Sequence, residues 1–222
     1  KNDPQTCNKP DFTSPDGIKG IDNRFATLVP AIEQSGLGAV EGLLQNAVDD
    51  GGLLIMLQLD GVDSLVNDPE IALRVRAGTG TPLLGTDGVV LAGQTFHLHP
   101  ESPESKSPTA HIKDGILHAG PFDARLPLTV FGVHYGFEIK GARIIAKIDS
   151  RGDMVDGLFG GGLLVEDLIG IAVKAERFEK GVESLVTPLA KSSADITLLK
   201  TGHCEQISMA LKFTGVSAFL WD

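Results

Sequence analysis

The chain has 222 residues, 42% of them apolar, and carries 19 Lys and Arg against 29 Asp and Glu, a formal net charge of −10. That apolar share supports a core and excludes general disorder, and the length suits one large domain at ~100–200 residues per domain. The acidic excess argues against nucleic acid and anionic membrane surfaces, which ask for clustered Lys and Arg, and no apolar run reaches the ~18–20 residues of a membrane-spanning helix.

Residues 1–22 are rich in Pro, Asp, Lys and Asn and read as an extended N-terminal arm. A single α+β domain is expected over 23–222, since no linker divides it. Asp22-Asn23 opens a helical pattern. Phe25, Leu28, Val29 and Ile32, then Leu37, Val40, Leu44, Ala47 and Val48, recur at helical spacing up to Asp49-Asp50-Gly51-Gly52. One or two helices are predicted over 23–49, with Pro30 kinking or shortening the first.

From residue 53 the period changes to two. Leu53 to Asp60, Ile71 to Arg76, Thr95 to His99, Val133 to Lys140 and Ala142 to Ile148 alternate apolar with polar or small residues. Such segments are half-buried strands with one wet face. Asp60-Gly61, Asp87-Gly88, Asp114-Gly115 and Arg151-Gly152-Asp153 separate them, and Pro100 to Pro108 reads as an exposed loop. Gly160-Gly161-Gly162 reads as a tight turn into a second helical block, with faces Val165, Leu168, Ile169, Ala172 and Val173, then Phe178, Val182, Leu185, Val186 and Leu189, Pro188 lying near its end. Ile207, Met209, Leu211 and Phe213 form the cleanest alternation, and a last strand is expected within 216–220. Helices grouped apart from a run of short strands predict an α+β fold with an antiparallel β-sandwich-like core and flanking helices.

Cys7 and Cys204 are the only thiols and both sit among polar residues. An even count predicts one disulfide between them and an oxidising compartment, the alternative being two free cysteines. Residues 1–7 hold no basic stretch followed by an apolar one, so an exported protein would be present here in its mature form or as a trimmed chain.

His97-x-His99 puts two imidazoles on one strand face, where Glu101 or Glu104 supplies a carboxylate for a divalent metal. His111 and His118, on the next two strands, are further candidates. A solvated sheet face beside a charged loop explains the same residues. Asp16 and Asp22 lie in a degraded calcium-loop pattern, with Thr13 and Pro15 at ligand positions. Asp60, Asp63, Asp68 and Glu70 form a second hard-cation candidate, again set against an ordinary solvated loop. No Gly-x-Ser-x-Gly elbow and no phosphate-binding Gly-Lys-Ser/Thr is present. With one Trp, one Tyr and ten Phe, an aromatic sugar platform is not expected. The aliphatic residues suit either a plain core or a cavity for a small apolar ligand.

Three stretches taken together carry a resemblance: Gly17-Ile18-Lys19-Gly20-Ile21-Asp22-Asn23, Gly157-Leu158-Phe159-Gly160-Gly161-Gly162, and Cys204-Glu205-Gln206-Ile207-Ser208-Met209-Ala210-Leu211-Lys212-Phe213. The set resembles uncharacterised exported, lipoprotein-like proteins of the myxobacterial kind. The resemblance implies export and a disulfide and no activity. The expectation is an exported binding or structural protein of the periplasm, outer surface or extracellular space rather than an enzyme. Two alternatives stand beside it: a metal-binding protein or metal-dependent enzyme using His97, His99 and Glu101, and a self-assembling surface protein, a homo-oligomer paired through sheet edges or the arm.

Overall fold

The structure, a computed structural model, describes residues 7, 9, 12–13, 19–21, 23–33, 40–100, 102–130, 133–177, 180–197 and 202–221. Its elements, in chain order, are β1 (Phe12–Thr13), β2 (Lys19–Ile21), a 3₁₀ turn (Phe25–Thr27), α1 (Val29–Ile32), α2 (Val40–Asp49), β3 (Ile55–Asp60), β4 (Asp68–Thr79), β5 (Thr95–Leu98), β6 (Ser105–Lys113), β7 (Ile116–Val130), β8 (Val133–Ile148), β9 (Met154–Leu164), α3 (Val165–Ala175), α4 (Val182–Ser193), β10 (Ile196–Thr197), β11 (Cys204–Gly215) and β12 (Phe219–Trp221). The fold is strand-dominated with fewer helical residues. Among the described residues, β1 and β2 pair alone, and ten strands join in the order β10-β11-β9-β8-β7-β6-β4-β5-β12, with β3 also on β4. The strands expected to form two packed sheets are thus linked by hydrogen bonds in one open path. The link runs through β7 and β8, 15 and 16 residues long, whose pairing joins β6 to β9 in that path.

The chain divides into two compact units, each made of two stretches: Lys1–Leu43 with Gly160–Ala210, and Leu44–Phe159 with Leu211–Asp222. The second is organised by the β7–β8 hairpin. Its registers Ala119↔Ile144, Phe122↔Ala142 and Ala124↔Ile139 show one extra residue first on β7, then on β8. The two bulges cancel, so Leu117, Ala119, Phe122 and Ala124 and, opposite them, Ile139, Ala142, Ile144 and Ala146 are all buried. Gly120 supplies the first bulge with φ +106 and leaves no room for a Cβ against the Ala142 carbonyl. At the second, the Lys140 ammonium bridges Asp123 at 2.8 Å and Glu138 at 2.7 Å. The hydrogen bond to Asp123 raises the Lys140 pKa above its usual 10.5 and lowers that of Asp123.

The loop expected over 100–108 is only partly one, because β6 begins at Ser105. Ser105 and Ser107 are buried. Their hydroxyls accept the backbone N–H groups of Arg125 (2.8 Å) and Gly120 (2.9 Å). Serine here replaces a missing ladder bond beside the bulge. Pro108, which has no N–H to give, sits where the β4–β6 register shifts between Leu73↔Ser107 and Ile71↔Ala110.

In the first unit, Pro30 falls in the first turn of α1, where its missing N–H is tolerated. The turn before it is fixed by Asn23, whose side-chain oxygen accepts from Ala26 N–H at 3.3 Å and whose amide donates to the Ala210 carbonyl at 2.9 Å. Buried Ser208 accepts the Arg24 N–H at 2.8 Å, and its own N–H donates to Asp195 at 2.7 Å. Helices α3 and α4 pack on each other, burying Leu168, Ala172, Val182, Val186 and Ala190. Pro188 is not near the end of α4, which runs on to Ser193. Gly160-Gly161-Gly162 is not a turn either: it lies inside β9, which leads directly into α3 at Val165. A Cβ at Gly162 would overlap the Gln206 side chain, and one at Gly160 would lie 3.2 Å from the Met209 carbonyl, so these glycines admit β11 at close range. Cys7 and Cys204 form the expected disulfide, with Cα atoms 6.2 Å apart.

Candidate functional site

The second unit presents an apolar cluster at the end of its strand order. After β4, residues 83–91 form a small hairpin. Leu84 bridges Val90, Gly85 N–H donates to Val89 at 2.8 Å, and Leu91 N–H donates to Leu83 at 3.0 Å. Asp87 closes the turn by accepting Val89 N–H at 3.1 Å. Gln94 ties this hairpin to the sheet. Its side-chain oxygen accepts Leu83 N–H at 2.7 Å, and its amide donates to the carbonyls of Leu83 (3.1 Å) and Leu91 (2.7 Å). The Gln94 carbonyl accepts Phe219 N–H at 2.8 Å, and Gly93 N–H donates to Ser217 at 2.7 Å. One residue therefore holds both the hairpin and the start of β12.

Strand β12 runs parallel to β5 in the register Phe219↔Thr95, Leu220↔Phe96, Trp221↔His97. Alternation places Leu220 on the side of buried Phe96 and puts Phe219 and Trp221 on the wet face with exposed Thr95 and His97. Their exposure is high for aromatic and aliphatic side chains: Phe219 67%, Trp221 64%, Leu83 66%, Val89 53% and Leu91 46%. Several large apolar side chains left in water along one edge are unusual for a chain that acts alone and point to a contact site. A low aromatic count gave no warning of it, because two aromatics suffice when both stand on one exposed face. Leu83-Leu84 and Val89-Val90-Leu91 around Gly85-Thr86-Asp87-Gly88 are the local signal of this hairpin.

Of the residues singled out for metal chemistry, only some lie among the described ones. His97 is exposed beside Trp221. His99 lies just past β5, its N–H donating to Ala77 at 2.9 Å and its carbonyl accepting from Ser102 at 2.8 Å. Glu101, Asp16 and Asp22 lie outside the described residues. Glu104 pairs with Arg76 at 3.0 Å and Arg74 at 3.5 Å. His111 and His118 do meet, as a cross-strand pair with stacked rings 5.1 Å apart. Among the described residues, no group of three or more His, Cys, Asp or Glu is placed to hold a metal ion.

The acidic cluster at 60–70 has local structural work. Asp60 lies 2.6 Å from the Arg74 guanidinium. Buried Asp68 accepts N–H bonds from Asp63 (2.6 Å), Ser64 (3.3 Å) and Glu70 (3.3 Å). These bonds, Asp63 first, hold its carboxyl below the ordinary 3.8 against the opposing effect of burial. In the first unit, an open groove of about 340 Å³ is lined by Glu176, Glu183, Ser184, Thr187 and Pro188. Glu176 there accepts the N–H groups of Gly181 (2.9 Å) and Glu183 (3.0 Å). Two carboxylates in the lining suit no apolar ligand. Among the described residues, no helix is long and apolar enough to cross a membrane. No family model matches the chain, and neither does any curated protein or any solved structure.

Proposed function

We propose that this chain is an exported binding or structural protein that works by contact, through the apolar cluster of the 83–91 hairpin and β12. The cluster itself carries the reading. Leu83, Val89, Leu91, Phe219 and Trp221 stay exposed to water on a hairpin and a strand that Gln94 and the β5–β12 pairing hold in place, although burying them would be favourable at about 25 cal/mol per Å². The Cys7–Cys204 disulfide supports export, since such bonds persist in oxidising compartments. The likeness to exported proteins of the myxobacterial kind points the same way.

The test is retention at the surface of the cells that make the protein. Leu83→Ser with Leu91→Ser should release it from washed cells several-fold more than wild type. Leu158→Ser, at an exposed leucine elsewhere, should leave retention unchanged. Equal retention of all three proteins would overturn the reading.

A further inference from the structure

We infer that the partner of this edge is a second copy of the same chain, added strand to strand through β12. The inference rests on the contact reading above and names its occupant. β12 ends the strand order, so among the described residues its outer edge has no neighbouring strand. Phe219 directs its N–H to Gln94 on the β5 side. Alternate residues of a strand turn their backbone groups to opposite neighbours, so Leu220 turns its N–H and carbonyl to the open edge. A two-fold axis through this point makes Leu220 face Leu220 of the other copy, and the two exchange both N–H···O bonds as an antiparallel pair. The same axis sets Phe219 opposite Trp221 of the other copy, twice, on one face. The sequence Phe-Leu-Trp is thus self-complementary, as an isologous interface demands, and aromatic cross-strand pairs are among the favourable ones.

Area agrees with this occupant. Taking about 150–250 Å² for each aromatic and somewhat less for each aliphatic, the exposed fractions of Phe219, Trp221, Leu83, Val89 and Leu91 together leave roughly 600 Å² of surface in water. A standard interface takes about 800 Å² from each partner, polar rim included. Within its three residues the edge carries no Lys, Pro or charge. Each copy carries a formal net charge of −10, so the two repel at long range and their association should tighten as salt rises and the Debye length falls from ~30 Å at 0.01 M to ~8 Å at 0.15 M.

Sedimentation equilibrium of the oxidised full chain should show a reversible monomer–dimer equilibrium that strengthens with salt. Phe219→Lys and Trp221→Lys, both at exposed positions, should each weaken it at least tenfold with unchanged circular dichroism, and Leu158→Ser should not. As a check on register, Leu220→Cys should give a covalent dimer under mild oxidation, linked through position 220 by peptide mapping, in much higher yield than Phe219→Cys. A monomer at all concentrations up to about 0.5 mM, or a dimer indifferent to both lysine variants, overturns the inference. So does a monomer that partitions onto phosphatidylcholine vesicles, which would assign the cluster to lipid. If the chain stays monomeric while Leu83→Ser with Leu91→Ser still releases it from cells, the second copy falls and the contact reading stands.

Discussion

Asp68 shows how one side chain can be read two ways from sequence. Its carboxylate stands among Asp60, Asp63 and Glu70, a pattern compatible with a hard cation, yet its three acceptor bonds from Asp63, Ser64 and Glu70 organise the turn into β4. Backbone donation favours the charged form, so the folded-state pKa lies below the ordinary 3.8. The unfolded chain then binds the proton more readily, and the stabilisation is complete above that ordinary value and lost as pH falls through the lower folded one. Asp123, Asp149 and Glu176 are shifted the same way, by Lys140, by the Arg151 N–H and by the Gly181 N–H respectively. The urea midpoint should therefore be level near neutrality and drop as pH falls from 4 to 2. Asp68→Asn should be less stable at pH 7 and show a shallower acid drop. An identical pH profile for the variant would show that the carboxylate charge is not what matters at this turn. Ser107 teaches the same lesson: a polar residue in a proline-rich stretch reads as loop until its hydroxyl is seen to take the N–H of Gly120.

Elements with a clean period were legible. Alternation at Ile71 to Arg76 and at Ile207 to Phe213 marks β4 and β11, and the apolar stripes at 165–173 and 178–189 mark α3 and α4, though Phe178 lies outside the described residues. Even the second bulge of the long hairpin is written in the chain, as a change of phase between Ile139 and Ala142. The glycines of β9 were not legible, because a Gly-Gly-Gly run signals a turn unless something crosses it closely. A Cβ at Gly157 would lie 2.6 Å from the Phe213 ring. Gly157→Ala should cost about 1–3 kcal/mol by overpacking, measured by urea denaturation. Phe213→Leu in the same chain should recover part of that loss, giving a non-zero coupling in the double-mutant cycle. Additive losses would mean that the ring moves aside without strain.

Across the whole molecule, the Cys7–Cys204 bond joins residues 197 apart in sequence. Closing a loop of that length removes unfolded-state entropy worth about 5 kcal/mol in the chain-entropy model, and loss of a native disulfide commonly costs about 2–5 kcal/mol. Cys7→Ser with Cys204→Ser should lower stability by an amount in that range, read from urea midpoints of the oxidised protein and the variant at equal pH. Matching midpoints would mean that the reduced unfolded chain already keeps its two ends together.

By itself the sequence determined the local periods, the positions of most strands and helices, the net acidic charge and the one disulfide its two cysteines could form, which the structure then showed. These depend on neighbours along the chain, on alternation and turn residues, or on there being a single partner available. The tertiary structure alone decided that the strands share one open path, that β5 lies between β4 and β12, and that Phe219 and the 83–91 hairpin meet at Gln94. The β5–β12 pairing joins residues more than a hundred positions apart, and no short-range pattern fixes which strand lies beside which. The candidate site was hidden for that reason: each of its residues is unremarkable in sequence, and only their shared edge makes a surface.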